Sequence, residues 1–145
     1  MFLIDTSVWI FALKKQYHPT IKERVEAVLT EGDVAINGII ELELLMGTKT
    51  AKEYTRLKSR LDGLHYIESS RSLWDNASRL AFELRNGGIN VPQTDILIAA
   101  AAIDEGAVLI HADSHFDLIA GYAGLKPGLK VESLISYVNK LSHKR

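Results

Sequence analysis

The sequence predicts an α/β fold in which a mostly parallel central sheet lies between two layers of helices. Short apolar runs at residues 2–5, 33–37 and 107–113 are typical of buried strands. Longer segments with helical spacing separate these runs, so strands and helices alternate along the chain. The length of 145 residues fits one domain of ordinary size. We therefore expect a single three-layer domain over residues 1–145.

The segments between the strands carry signals for helix starts and ends. Capping boxes predict N-caps at Thr20 and Thr50, because a glutamate follows each of them three residues later. Glycines close several of the same segments. We predict helices over residues 8–15, 20–32, 38–47, 50–63, 70–88, 94–106, 114–124 and 132–145, and short extended segments over 65–68 and 129–131.

Composition and charge exclude several classes of protein. The chain has no cysteine, which excludes disulfides, cysteine-ligated zinc and iron–sulfur clusters. Its 17 basic and 18 acidic residues give a net charge of −1, which argues against binding nucleic acid through bulk positive charge. No apolar run approaches the ~18 residues of a membrane span, and the N-terminus lacks the features of a signal peptide. We expect a cytoplasmic protein that makes no membrane contact.

Four acidic residues stand at notable positions in this predicted fold. Asp5 ends the first strand and Asp113 ends the third, so both belong to the edge where the carboxyl ends of parallel strands meet. Asp95 opens an alanine-rich helix, and Glu43 lies inside an otherwise apolar helix. Each residue alone could serve as a turn residue, a helix cap or a solvated side chain. Their combination favours a shared site.

A cluster of carboxylates has a defined chemical consequence. Like charges repel, so the cluster needs either a cation or raised pKa values. Oxygen ligands without cysteine favour Mg²⁺ or Mn²⁺ over zinc. Such an ion can orient a phosphate and lower the pKa of a bound water molecule. The acids therefore predict a metal-dependent phosphoryl-transfer or hydrolytic site.

The ordered motifs FLIDTSVW, ELELLMG, TDILIAAAAIDEGAVLIHAD and SHFDLIA run over nearly the whole chain. This set resembles the PIN-domain family, and specifically the VapC-type toxins of type II toxin–antitoxin systems. The resemblance implies a PIN-like fold and RNA hydrolysis that depends on Mg²⁺ or Mn²⁺. It also implies a structured RNA substrate such as a tRNA or rRNA, a cognate antitoxin that blocks the acidic site, and a toxin homodimer.

The resemblance also assigns roles to individual residues. It implies that Asp5, Glu43, Asp95 and Asp113 are the catalytic acids. Three of them, Asp5, Asp95 and Asp113, are the implied metal ligands. Glu43 matches the family's acid four residues before the glycine of its E-L-x-x-G motif.

Hydroxyl groups near the acids are a further expectation from the resemblance. Thr6 or Ser7 would supply a hydroxyl near the metal or its water molecule. One position departs from the family pattern. Many relatives have threonine or serine two residues before the last aspartate, whereas this chain has His111. A hydrogen-bonding hydroxyl is therefore in doubt at that position.

Two acids compete with these assignments. Glu41 lies two residues from Glu43, and residues with that spacing point in different directions on a helix, so only one of them should face the site. The glycine register favours Glu43. The segment SHFD can be a capping box with Ser114 at the N-cap and Asp117 as its acid. Asp117 could instead be an auxiliary acid of the site.

The histidines and basic residues give weaker signals. His111 and His115 are four residues apart, which would suit zinc on one helix, but the chain is predicted to turn between them. Basic residues could contact phosphates at the rim of the site. Lys49 and Arg85 are favoured because they flank glycine turns near the predicted edge. The full set of candidates is Lys14, Lys15, Lys49, Arg56 and Arg85.

Two other functions fit part of the pattern. A phosphatase of the acid-site type needs a D-x-D pair after the first strand, whereas this chain has DTS. A receiver domain needs an acidic pair and a late lysine at a strand end, where this chain has LIHAD. A catalytically silent interaction module on the same fold is the remaining alternative, and the presence of all four acids argues against it.

Overall fold

The computed structural model describes residues 1–13 and 18–142, and its centre is a five-stranded parallel sheet. The strand order is β3-β2-β1-β4-β5, and every neighbouring pair is parallel. This arrangement confirms the predicted fold class. The strands are Phe2–Ile4 (β1), Val34–Asn37 (β2), His65–Ile67 (β3), Val108–His111 (β4) and Lys130–Ser133 (β5).

Eight helices connect and cover these strands within the residues that the structure describes. None of those helices combines the length and the hydrophobicity that crossing a membrane requires. The helices are Thr6–Leu13 (α1), Pro19–Glu31 (α2), Gly38–Met46 (α3), Ala51–Leu61 (α4), Arg71–Asn86 (α5), Gln93–Glu105 (α6), Ser114–Ala120 (α7) and Ile135–Ser142 (α8).

The hydrophobic core lies on both faces of the sheet. Leu3 and Ile4 are both fully buried in β1, as are Leu109 and Ile110 in β4. Successive residues of a strand point to opposite faces, so burial of both neighbours requires cover on each side. The sequence meets this requirement with continuous apolar runs rather than alternating ones. The result is a three-layer arrangement with a rigid centre.

The order of the strands creates a crevice at the carboxyl ends of β1 and β4. Strands β2 and β3 lie on one side of β1, and β4 and β5 lie on the other side. Ligand sites of open α/β sheets lie at such a reversal of strand order. The two strand ends are joined there, since the Asp5 N–H donates to the Ile110 carbonyl at 2.9 Å.

One predicted helix start is confirmed and one is wrong. Thr50 is the N-cap of α4, and its hydroxyl accepts a hydrogen bond from the Glu53 N–H at 3.1 Å. Thr20 is not the cap of α2, because that helix begins at Pro19 with His18 at the N-cap position. Proline suits the first helical position, since its φ angle is already helical and it has no N–H group to satisfy.

The sequence offers two caps for α7, Asp113 and Ser114, and the structure uses the first. Asp113, not Ser114, is the N-cap, and its Oδ1 accepts a hydrogen bond from the His115 N–H at 2.9 Å. Aspartate and serine are comparably good caps, so the local pattern does not choose between adjacent candidates. The consequence is functional, because the cap residue is one of the four predicted catalytic acids.

Candidate active site

Asp5 is held at the end of β1 by the serine two residues later. Its side chain is nearly buried, and its Oδ2 accepts hydrogen bonds from the Ser7 hydroxyl at 2.6 Å and the Ser7 N–H at 3.1 Å. The Ser7 oxygen in turn accepts a bond from the Ala112 N–H at 3.0 Å. Ser7 therefore orients the carboxylate and also ties the end of β1 to the segment after β4.

Glu43 reaches the same crevice from α3. The Thr6 hydroxyl donates to its Oε1 at 3.0 Å, which joins the start of α1 to α3. Glu41, two residues earlier, points elsewhere and pairs with Lys58, whose Nζ lies 2.9 Å from the Glu41 Oε1. The two glutamates thus face different directions, as their spacing predicts, and Glu43 is the one near Asp5.

Asp95, Asp113 and His115 form the other part of the crevice. Asp95 comes from the first turn of α6, and Asp113 and His115 come from the start of α7. The His115 Nδ1 lies 2.8 Å from the Asp95 Oδ2 and 3.2 Å from the Asp113 Oδ1. One ligand atom from each residue lies within 4.8 Å of the others. Two carboxylates and an imidazole with this spacing could hold a divalent cation.

The carboxylates of the crevice are close enough to influence one another's pKa values. Burial raises the pKa of Asp95 to about 6, the His115 hydrogen bond opposes the increase, and the charges of Asp113 and Asp5 add to it. Burial also raises the pKa of Asp5, where the Ser7 bonds oppose the shift and Asp113 adds to it. The pKa of Glu43 is raised by burial and by the Asp5 charge. A bound cation would reverse these shifts, because it favours the ionised carboxylates.

The donor set fits a divalent metal ion, with one difference from the predicted ligands. Asp95 and Asp113 belong to the group of converging ligand atoms, whereas Asp5 is outside it and is bonded to Ser7. His115 belongs to the group, and sequence reasoning missed its approach to the acids. The available signal was its position, two residues after Asp113 in the first turn of a helix that begins at the same edge.

His111 and Asp117 form a separate pair behind the site. His111 is fully buried, its Nε2 lies 3.1 Å from the Asp117 Oδ1, and its Nδ1 accepts a bond from the Asp113 N–H at 3.2 Å. The ring therefore carries its proton on Nε2 and donates it to Asp117.

The capping-box interpretation of Ser114 and Asp117 is wrong. The two histidines of the zinc hypothesis do not converge, since His115 faces the acids instead.

A cleft of about 520 Å³ opens beside Glu43, between α1, α3 and α4. Arg56 and Arg60 of α4 line it together with apolar side chains of α1. Cationic groups therefore lie next to the acidic crevice although the whole chain is nearly neutral. Of the predicted phosphate contacts, Arg56 lines the cleft, Lys49 and Arg85 are not part of its lining, and Lys14 and Lys15 lie outside the described residues.

Comparison with protein families identifies this arrangement. The family model described as PIN domain matches residues 2–122, which include every acid of the site. The chain belongs to the PIN-domain family. Among curated proteins, this PIN domain is 35% identical to Ribonuclease VapC51 of Mycobacterium tuberculosis over 126 residues, which cover 85% of the chain and 88% of that protein. It is 30% identical to Ribonuclease VapC18 of the same organism, over 86% of the chain and 90% of that protein.

Solved structures show the same fold. VapBC2 from Rickettsia felis, solved bound to a DNA fragment from its promoter, matches with a TM-score of 0.69 at 23% identity. The match covers 91% of this chain and 97% of that one. DNA-bound VapBC from Salmonella typhimurium matches with a TM-score of 0.70 at 23% identity, over 91% of this chain and 96% of that one. The predicted membership of the PIN domains and the VapC-type group is confirmed.

Proposed function

We propose that this PIN domain is a metal-dependent endoribonuclease and the toxin of a type II toxin–antitoxin system. The observation that carries the proposal is the convergence of Asp95, Asp113 and His115 beside Asp5 and Glu43 at the strand reversal. The similarity to proteins named VapC ribonucleases over most of both chains supports RNA as the substrate.

The acids of the crevice would hold the metal ion. Asp5, Asp95 and Asp113 are the proposed ligands, with Mg²⁺ as the ion and Mn²⁺ as a substitute. A cation held by these residues would lower the pKa of a bound water molecule and would offset negative charge on the phosphate. The buried setting of Asp5 and the partly buried setting of Asp95 support this assignment, because a cation removes the electrostatic cost of keeping both ionised.

The remaining polar residues would orient these groups. Glu43, whose burial raises its pKa, is suited to take a proton from the attacking water, and the Thr6 hydroxyl fixes its carboxylate. Ser7 holds Asp5 in place. Asp117 acts through the buried His111, whose ring accepts the Asp113 N–H. Thr6, Ser7 and Asp117 are thus proposed as positioning residues.

The RNA backbone would enter through the cleft beside Glu43. Arg56 and Arg60 line this cleft and could contact phosphates on one side of the scissile bond. Lys49 and Arg85, which are exposed, are weaker candidates for contacts farther along the strand. A single-stranded or loop segment of a structured RNA, such as a tRNA or rRNA, would fit a site that acts on one backbone at a time.

The proposed partners are an antitoxin and a second copy of the chain. One structural neighbour is a toxin–antitoxin complex from Klebsiella pneumoniae, which supports a cognate antitoxin that covers the acidic crevice. We propose a homodimer for the toxin itself. A reaction on tRNA or rRNA would take place in the cytoplasm.

RNA cleavage with matched variants tests the enzyme assignment. Total RNA is incubated with the wild type in Mg²⁺, with the wild type in EDTA, and with Asp5→Asn and Asp95→Asn in Mg²⁺. We expect discrete cleavage products only for the wild type in Mg²⁺. Glu41→Gln is the control, because Glu41 pairs with Lys58 and faces away from the site. Equal cleavage by the wild type and both aspartate variants would contradict the proposal.

Growth measurements test the toxin assignment separately. The chain is expressed alone and then together with the product of the adjacent small gene. We expect growth arrest that the second protein relieves and that Asp95→Asn does not cause. Normal growth under strong expression of the wild type would remove the toxin role without affecting the nuclease.

A further inference from the structure

His115 is oriented by the same acid that caps its helix. The backbone N–H of His115 donates to the Asp113 Oδ1 at 2.9 Å, which holds the residue next to that carboxylate at the start of α7. Its ring then turns toward Asp95, with the Nδ1 2.8 Å from the Asp95 Oδ2. About a third of the His115 side chain is exposed, so the ring lies at the mouth of the crevice.

The distances around the His115 ring match those between ligands of one ion. Neighbouring ligand atoms of an octahedral ion with bonds of about 2.1 Å are about 3 Å apart. The Nδ1 lies 2.8 Å and 3.2 Å from the two carboxylate oxygens. A cation could therefore bond to all three atoms after only small side-chain movements, with the ring proton on the Nε2 and the Nδ1 lone pair turned to the ion.

We propose that His115 is a direct ligand of the metal ion, through its Nδ1, together with Asp95 and Asp113. This inference rests on the proposed metal site and adds a nitrogen donor to it. An imidazole favours transition-metal ions, whereas Mg²⁺ is best served by oxygen ligands alone. His115 therefore raises the affinity of the site for Mn²⁺ more than its affinity for Mg²⁺.

His111, which is buried behind the site, differs from His115 in the state of its ring nitrogens. Both ring nitrogens of His111 are already engaged, one by Asp117 and one by the Asp113 N–H. His111 therefore has no lone pair to offer to an ion. The competing role for His115 is that of a hydrogen-bond donor that only bridges Asp95 and Asp113. In that role the ring would move away when a cation binds.

Pulsed EPR on bound Mn²⁺ distinguishes these roles because it detects a directly bonded nitrogen. We expect ¹⁴N coupling for the wild type and none for His115→Gln. His65→Gln is the matched control, since His65 is exposed at the start of β3, at the opposite edge of the sheet from the crevice. This control should keep the wild-type coupling.

Metal affinity gives a second readout that does not depend on catalysis. Titration calorimetry should show that His115→Gln weakens Mn²⁺ binding about tenfold or more and Mg²⁺ binding less than about threefold. Thermal unfolding of the metal-free variant should still be one cooperative transition, because the substitution keeps the backbone N–H bond to Asp113 and removes only the ring contacts with Asp95 and Asp113.

The outcomes separate this inference from the proposed function. Wild-type Mn²⁺ binding without ¹⁴N coupling would overturn the ligand role of His115, while Mg²⁺-dependent RNA cleavage lost in Asp95→Asn would still support the nuclease. Nitrogen coupling in a protein that cleaves no RNA would support the ligand and contradict the nuclease. Absence of any Mn²⁺ binding by the wild type would overturn both.

Discussion

The acidic crevice has two parts that hold their carboxylates in different ways. The hydroxyl half consists of Thr6, Ser7, Asp5 and Glu43. In it, Asp5 accepts a hydrogen bond from the Ser7 hydroxyl, and Glu43 accepts one from the Thr6 hydroxyl. The histidine half consists of Asp95, Asp113 and His115, and in it one imidazole ring lies between two carboxylates.

This difference in hydrogen bonding indicates different roles for the two halves. A carboxylate with its own hydroxyl donor keeps its direction and part of its charge balance without an ion. The carboxylates of the histidine half share one partner, so a cation there would satisfy the most unbalanced charge. We therefore expect the histidine half to contribute most of the metal affinity, with Asp5 as a further ligand, and the rest of the hydroxyl half to control the orientation of the reacting groups.

The largest effect is expected in the histidine half. Asp95→Asn removes a charged ligand, and a catalytic metal ion contributes several kcal/mol, so cleavage should fall about a thousandfold. Mn²⁺ titration of the variant should show a parallel loss of affinity. Retention of more than a tenth of the wild-type rate, with normal Mn²⁺ binding, would contradict the division between the halves.

Substitution of the two glutamates of α3 should give opposite results. Glu43→Gln should reduce the cleavage rate about a hundredfold, because it removes the proposed proton acceptor, while Mn²⁺ affinity changes little. Glu41→Gln should stay within twofold, since its carboxylate pairs with Lys58 away from the crevice. Rate measurements at saturating Mg²⁺ compare the two directly. Equal losses would show that α3 matters for folding rather than for chemistry.

Ser7→Ala should affect stability more than Asp95→Asn does and the rate less. The change removes the hydroxyl donor to Asp5 and the acceptor of the Ala112 N–H. Leaving such groups without partners costs about 1–3 kcal/mol, which urea unfolding would detect. We expect about a tenfold slower reaction, because Asp5 keeps its bond from the Ser7 N–H and loses only part of its support. A rate as low as that of Asp95→Asn would place Ser7 in the chemistry itself.

The smallest effect concerns pH in the absence of metal. The pKa of Asp95 is about 6 in the folded chain and 3.8 as the reference value, so the folded state binds more protons between these values. Stability should therefore increase as the pH falls from 7.5 toward 4.5, by about 1–2 kcal/mol after allowing for solvent screening. Urea unfolding in EDTA at pH 7.5 and at pH 4.5 measures this change in the free energy of unfolding.

Asp95→Asn is the control for this pH effect. The variant should gain less stability than the wild type as the pH falls. It should still gain some, because the pKa values of Asp5 and Glu43 are raised too. Metal affinity should change in the opposite direction and weaken as the pH falls below about 6, since protonated Asp95 cannot bind a cation. A metal-free protein that loses stability over the same range would contradict the predicted shift.

Much of the fold follows from the sequence because its signals agree. Continuous apolar runs indicated strands buried on both faces, and their alternation with helices indicated the parallel sheet. Local cap signals did not decide between two adjacent residues that compete to begin a helix, as with Pro19 before Thr20 and Asp113 before Ser114. Such choices depend on competition between adjacent residues, which a motif alone does not express.

The candidate site was predictable to a similar extent. Topology sends Asp5 and Asp113 to one edge, so their proximity could be inferred from strand order alone. The orientation of the His115 ring toward Asp95 could not be inferred in this way, because it depends on a side-chain rotamer and on how α7 lies against α6. The same holds for Ser7, whose hydroxyl oxygen accepts a bond from the Ala112 N–H just beyond the neighbouring strand β4. Side-chain contacts between distant segments have no local sequence signal.

The most direct test of the central claim is to follow oxygen from water into the RNA product. The wild type cleaves a defined RNA in H₂¹⁸O with Mg²⁺, and the terminal phosphate is examined by mass spectrometry. Attack by a metal-activated water predicts one ¹⁸O atom per cleaved bond and no cyclic phosphate. A 2′,3′-cyclic phosphate without ¹⁸O, formed equally well in EDTA, would show attack by the RNA's own hydroxyl and would contradict the metal-dependent mechanism.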